Sequence, residues 1–184
     1  MRTLIVTEFI TLDGVIDSPG GGSHPRAGWT FKDVPFVEEA YEIKGREQVE
    51  AGAMLMGRVS YDEFAPVWPK MDEFADYNAM PKYVVSSTLT DPEWNNTSVL
   101  RSLEDVAKLK EGDGGNIIVH GSATLAKGLA DAGLVDRYHL LVFPILLGDG
   151  KRLFGGGDPY THLDLVEHEA YSNGVVKAVF DVKR

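Results

Sequence analysis

Asn116 to Leu141, NIIVHGSATLAKGLADAGLVDRYHLL, constrains the fold of this chain more than any other stretch. An apolar, β-branched run passes through a Gly-Ser break into a segment whose Leu125 and Leu129 recur at helical spacing. A second apolar run follows. Strand, helix and strand in so few residues make a βαβ unit, and such units lay their strands parallel in a sheet with helices against it. Gly121 and Ser122 occupy the strand-to-helix break. A break of this kind serves as a plain turn, where Gly frees the backbone and Ser caps the helix, or as a cradle for a phosphate. In the second case unpaired N–H groups and the positive helix end meet the anion. The stretch lacks the three-glycine dinucleotide fingerprint, so it is not a standard Rossmann turn.

The rest of the chain repeats the alternation. Thr3 to Ile10 is a strand ending at Asp13-Gly14, followed by the loop DSPGGGSHPRAG, the longest irregular segment, which reads as a lid, a binding loop or a mobile surface loop. Val37, Ala40, Tyr41 and Ile43 space out an amphipathic helix over about Val34 to Ala51, with Asp33 as N-cap and Pro35 in the first turn. AMLMG is a short buried strand, Val59 to Phe64 a helical turn and YVVS another strand. Ser102 starts a helix over Leu103 to Lys110. Asn173-Gly174 between two strand-like runs marks a β-hairpin near the C-terminus. The expectation is one α/β domain over residues 1–184, with no repeat, linker or low-complexity tract.

Charge and residue usage remove several functions. A formal charge of −10, from 18 basic and 28 acidic side chains, speaks against a nucleic-acid or anionic-membrane binder, and an anionic ligand would need a local basic pocket. Zero cysteines exclude a disulfide scaffold, a zinc-thiolate site and a thiol nucleophile. The five histidines show no metal-ligand spacing, so no metal is expected, and neither a Gly-x-Ser-x-Gly elbow nor a Walker lysine is present. MRTLIVTEF is neither a secretory signal nor a membrane span, and the expected location is the cytoplasm.

Two further strand ends carry the residue types of an anion site. LMGRVSYDEF places Arg58 directly after Gly57, and Ser60 with Glu63 has capping-box spacing. Arg58 is either a surface cation or a guanidinium fork for phosphate. VVSSTL places Ser86, Ser87 and Thr88 after another strand, as turn hydroxyls or phosphate ligands. In an open α/β sheet such turns collect on the carboxyl side, where ligands bind.

Taken in order, TLDGVID, LMGRVSYDEF, YVVSST, IIVHGSATLAKGL and LVDRYHLLVFPILLGDGKRLF resemble the dihydrofolate-reductase-like superfamily. Within it the chain is similar to stand-alone proteins akin to the reductase domain of the bifunctional riboflavin-synthesis enzyme. The resemblance implies a mixed, mostly parallel central sheet flanked by helices, with an antiparallel C-terminal hairpin and NADPH lying across the strand ends. Carried over by position, Gly57, Arg58, Val59, Ser86 and Ser87 meet the adenosine-phosphate side. Gly121, Ser122, Ala123, Thr124 and Leu125 hold the pyrophosphate, and Thr11 flanks the nicotinamide. The phosphosugar segment and deaminase partner domain of the riboflavin pathway have no counterpart here, and the segment around Asp33 and Glu38 does not match the dihydrofolate reductases.

The expected function is therefore hydride transfer from NADPH to a small heterocycle, pterin-like or pyrimidine-like. Asp33 or Glu38 is the candidate proton donor, and Trp29, Phe31, Phe36 and Trp68 are candidates for the substrate side. The alternatives are an NADP(H)-binding module without turnover, or a true dihydrofolate or 5-amino-6-(5-phosphoribosylamino)uracil reductase. A homodimer is expected because RYHLLVFPILL is apolar on both faces and Pro144 would interrupt a central ladder.

Overall fold

The first strand, buried on both faces, shows how the sheet is built. In β1 (Leu4–Thr11), Leu4, Val6 and Ile10 point to one face, and Ile5, Thr7 and Phe9 to the other. The computed structural model describes residues 1–183. Around β1 an eight-stranded sheet forms with β2 (Ala51–Gly57), β3 (Lys82–Val85), β4 (Thr97–Leu100), β5 (Asn116–His120), β6 (Arg137–Phe143), β7 (Leu163–Ala170) and β8 (Val176–Val182). Their spatial order is β4-β3-β2-β5-β1-β6-β8-β7. The first six strands in that order are parallel, and β8 and β7 close the sheet antiparallel.

Parallel strands buried on both faces need helices on both. On one face, α5 (Leu103–Glu111) and α6 (Ala123–Asp131) lay Val106, Leu125 and Leu129 over Leu4, Val6, Leu55 and Val119. On the other, α1 (Trp29–Lys32) and α2 (Glu38–Glu50) cover Leu141 and Phe143 with Trp29, Ala40 and Ile43. Next to them, α3 (Arg58–Phe64) and α4 (Ala75–Ala79) cover Met54, Met56 and Val84 with Tyr61 and Tyr77. Among the described residues no helix is long and apolar enough to cross a membrane.

Several expectations shift. The second helix starts at Glu38, not near Val34, with Val37 at its N-cap; Asp33 instead ends α1. Pro35 lies before the helix because the chain first turns to bury Val34. The Gly- and Pro-rich loop is pinned: the Trp29 indole donates to the Asp17 carbonyl (2.9 Å), Thr30 Oγ1 to the Pro19 carbonyl (2.7 Å), and the Gly28 N–H to the Ser18 carbonyl (2.9 Å). Strand β6 is central, paired with β1 and β8, and Pro144 stands just beyond it, so the ladder is regular. Its apolar faces are thus buried within one chain, and that rationale for a dimer is gone. Ser102 does cap α5 by accepting from Asp105 N, and Gly174, at φ 85°, turns the terminal hairpin.

Candidate functional site

The carboxyl ends of β2 and β5 lie side by side, and both open into helices. Gly57 ends β2 against Ser122: a Cβ at Gly57 would stand 2.3 Å from Ser122 Oγ. Gly121, at φ 66°, faces Ser60, whose Oγ would lie 3.0 Å from an added Cβ. The amino ends of α3 and α6 thus form one surface. Ser122 makes no side-chain cap bond, and the first turn of α6 contains no acid. The N–H groups of Ala123, Thr124 and Leu125 therefore have no intrahelical acceptor. Thr124 is exposed, whereas the Leu125 side chain enters the core.

The β3 turn joins them. Arg58 is held along Nε by both Asp62 oxygens (2.8 and 2.9 Å), and its Nη1 reaches Thr88 Oγ1 at 3.4 Å. Ser86 is buried, its Oγ accepting from the N–H groups of Thr88 (3.3 Å) and Leu89 (3.1 Å); Ser87 and Val59 are exposed. A second guanidinium, absent from the sequence expectation, comes from the end of β4: Arg101 Nη1 donates to the Ser86 carbonyl at 2.8 Å. Its strand is short and polar, TSVL, and shows no alternation strong enough to mark it.

Thr11, at the end of β1, is taken up by its own turn, donating to Asp13 Oδ1 (2.5 Å) and accepting from Val15 N (2.9 Å). Asp13 in turn accepts from the N–H groups of Leu147 (3.1 Å) and Gly148 (2.7 Å), tying the loop after β6 to the end of β1. These bonds, with the Thr11 bond foremost, draw the Asp13 carboxyl down to about 2.

Of the aromatic candidates, Trp29 is fully buried with its ring edge-on to Phe143 and belongs to the core. Trp68 is stacked between Phe64 (4.3 Å) and Phe74 (4.2 Å), so both its faces are covered. Phe36 and Phe31 are 66% and 60% exposed and flank Tyr41 at 5.0 and 6.4 Å. The carboxylates Asp33 and Glu38 both lie on the surface.

The ionisable groups that are buried are others. Thr7 pairs with His120 across one ladder and with His139 across the other, which puts the three side chains in one row facing α2 and α4. Glu47, 1% exposed, accepts from Thr7 Oγ1 (2.7 Å) and from His139 Nδ1 (2.7 Å), and Lys44 donates to Thr7 Oγ1 and to Glu47 Oε2. Burial would raise the Glu47 carboxyl, but the Lys44 ammonium and the His139 bond outweigh it and bring it to about 2. His120 bonds Tyr77 OH through Nε2 (2.7 Å), and burial, helped by Lys44, lowers it to about 3, so it is neutral. Glu8 is buried, with the Gly121 backbone close enough to favour its ionised form slightly. Burial raises Glu8 to about 8 against the pull of Lys44, and its Oε1 has no partner among the described residues. Sequence reading missed this row, although Glu47 on the apolar Ala40–Ile43 stripe was a visible signal.

A hollow of about 380 Å³ lies at the opposite, amino end of the strands. Of its lining charges, Arg137 pairs with Asp181 and Asp136 with Lys110, while Arg2 Nη2 has no hydrogen-bond partner among the described residues; the strand-end glycines and helix amino ends lie instead on the carboxyl side.

A mostly parallel sheet in this order, ending in an antiparallel hairpin, with helix amino ends gathered beyond its parallel strands, defines the dihydrofolate-reductase-like class. Within that class the chain belongs to the RibD C-terminal domain family, which it matches over residues 2–177. It is 29% identical over 191 residues to the uncharacterized protein YyaP of Bacillus subtilis, covering 97% of this chain and 94% of that one. Its fold is similar to that of a putative riboflavin biosynthesis protein from Shewanella sp. PV-4, with a TM-score of 0.77 at 22% identity over the whole of both chains. It is also similar to dihydrofolate reductase from Enterococcus faecalis complexed with NADP(H) and RAB-propyl. There the TM-score is 0.63 at 13% identity, over 99% of this chain and 97% of that one.

Proposed function

We propose that this chain is an NADPH-dependent reductase that transfers hydride to a small heterocyclic substrate, pterin-like or pyrimidine-like. The observation that carries the reading is the contact between the Gly57 and Gly121–Ser122 turns, which sets free α6 N–H groups beside Arg58 in an otherwise acidic protein. A pyrophosphate fits the first of these features and a further phosphate the second. In this reading Gly121, Ser122, Ala123, Thr124 and Leu125 hold the pyrophosphate through backbone donors. Gly57, Arg58, Val59, Ser86 and Ser87, joined by Thr88 and Arg101, surround the adenosine phosphate.

The bound dinucleotide supplies the hydride. The chain's own residues bind it, orient it and exclude water. Thr11 fixes the turn that flanks the nicotinamide side, and Glu8 holds a proton on its carboxyl beside Gly121 up to about pH 8. Asp33 and Glu38, being on the surface, are poorly placed to donate a proton. The test is direct titration with NADPH and NADH, followed by NADPH oxidation across a panel of reducible heterocycles. Failure to bind either dinucleotide overturns the reading, and tight binding without turnover on any ring turns it into a binding module.

A homodimer is proposed through the β7 edge. Leu165 and Val166 on this edge strand, which pairs with β8 on one side, are about half exposed, and Val176 opposite Ala170 is 39% exposed. A monomer mass by light scattering at micromolar concentration would refute it.

A further inference from the structure

Lys44 projects from α2 toward the sheet. Its ammonium leaves the surface of α2 and enters the row formed by Thr7, His120 and His139, one residue before Glu8 and Gly121 in the paired strands. It donates to Thr7 Oγ1 and to Glu47 Oε2, and it stands 4.9 Å from the centre of the Phe9 ring. An ammonium has three donors, so one is left. The Lys44 side chain is 16% exposed while Glu47 is 1% exposed, which makes Lys44 the more accessible half of the pair.

A border of tilted aromatic rings adjoins it. Phe9 meets Tyr41 at 5.7 Å, and Tyr41 is stacked with Phe36 at 5.0 Å. The Lys44–Glu47 pair carries no excess charge, since the buried carboxylate balances the ammonium. A ligand that already carries a full negative charge would therefore meet a site with none to spare. An uncharged ring bearing a carbonyl oxygen takes the free N–H without unbalancing the cluster.

We propose that Lys44 is the substrate-recognition residue, and that its free N–H binds the carbonyl oxygen of an uncharged planar oxo-heterocycle lying against Phe9 and Tyr41. Thr7 and Glu47 are positioning residues that hold the ammonium in place, with His139 steadying Glu47 from β6. The inference rests on the reductase reading for the presence of a ring substrate at this end of the sheet, but its residues are separate from the proposed dinucleotide contacts.

Lumazine, a fluorescent pteridine-dione, serves as the probe, and NADPH affinity is measured separately on each variant by calorimetry. Wild type is expected to bind lumazine. Lys44→Met should weaken that binding by about tenfold or more, the scale of one charge-assisted hydrogen bond, while Lys44→Arg keeps part of it and NADPH affinity stays unchanged in both. Lys44→Met leaves Glu47 buried without its cation, so the pair Lys44→Met with Glu47→Gln is the folded control and should lose lumazine equally. Lumazine binding by that double variant at wild-type strength overturns the proposal, as does a wild type that binds NADPH but not lumazine. Loss of NADPH binding by wild type itself would instead sink the reductase reading.

Discussion

Substituting Gly57 by Ala inserts one methyl between the two turns that build the cradle. The new Cβ would stand 2.3 Å from Ser122 Oγ, 2.8 Å from Ser122 Cβ and 3.7 Å from Leu125 Cβ. Gly57 itself has φ −82° and ψ 171°, a conformation alanine adopts freely, so the backbone adds no penalty and the whole effect is steric. Overpacking of this kind costs about 1–3 kcal/mol, as the α3 and α6 ends are pushed apart. Ser122→Gly removes both of the nearest clashing atoms, and since Ser122 sits at φ 70°, glycine there also relieves left-handed strain on the order of 1 kcal/mol. Gly57→Ala should lower stability and NADPH affinity together. Ser122→Gly alone should be neutral or stabilising, and the double variant should recover most of both losses. Urea unfolding of the four proteins gives the coupling energy, and NADPH titration gives its counterpart in binding. If the double variant loses the sum of the single effects, Gly57 and Ser122 do not touch and the shared surface is wrong.

Arg58→Ala should remove most of a preference for NADPH over NADH, on the order of 1.5–3 kcal/mol, while leaving NADH affinity nearly unchanged at fixed salt. Equal loss for both cofactors would move Arg58 to the pyrophosphate. Glu8, raised in the folded chain from 4.5 to about 8, holds a proton there that the unfolded chain has lost. Stability should fall as pH rises across that window, by at most about 1.4 kcal/mol per unit, and Glu8→Gln should flatten the slope. Urea midpoints through the window that stay parallel for the two proteins would count against a protonated Glu8. Lys82 is fully buried and its ammonium donates to the carbonyls of Tyr77, Asn78 and Met80 at 3.0, 2.9 and 2.9 Å, closing the end of α4. Lys82→Met strips those carbonyls of their donor and should cost about 1–3 kcal/mol or more in urea unfolding, and an unchanged midpoint would contradict the capping role.

The fold class was legible in the chain because it rests on local periodicity. Apolar runs around Leu4, Met54 and Ile117 alternate with the helical stripe of Leu125 and Leu129, and Asn173-Gly174 announces the closing hairpin. The strand-end residues Gly57, Arg58, Gly121 and Ser122 were legible for the same reason, since each follows an apolar run and precedes a helix. Strand β4 escaped because four residues with two hydroxyls have no period to detect, and Arg101 escaped with it. Asp33 and Glu38 drew attention as acids at a helix start, yet the chain turns at Val34 and leaves both in solvent. Whether Trp29 served a ligand or the core could not be read locally, because an indole suits either, and its seat on Phe143 depends on a strand more than a hundred residues away. The row of Thr7, Lys44, Glu47, His120 and His139 is the clearest case of long-range origin. Each residue is unremarkable in its own segment, and parallel register across β5, β1 and β6 aligns three of them under a helix from elsewhere in the chain. Burial then sets their charge states, a property of the desolvated cluster that no single segment possesses.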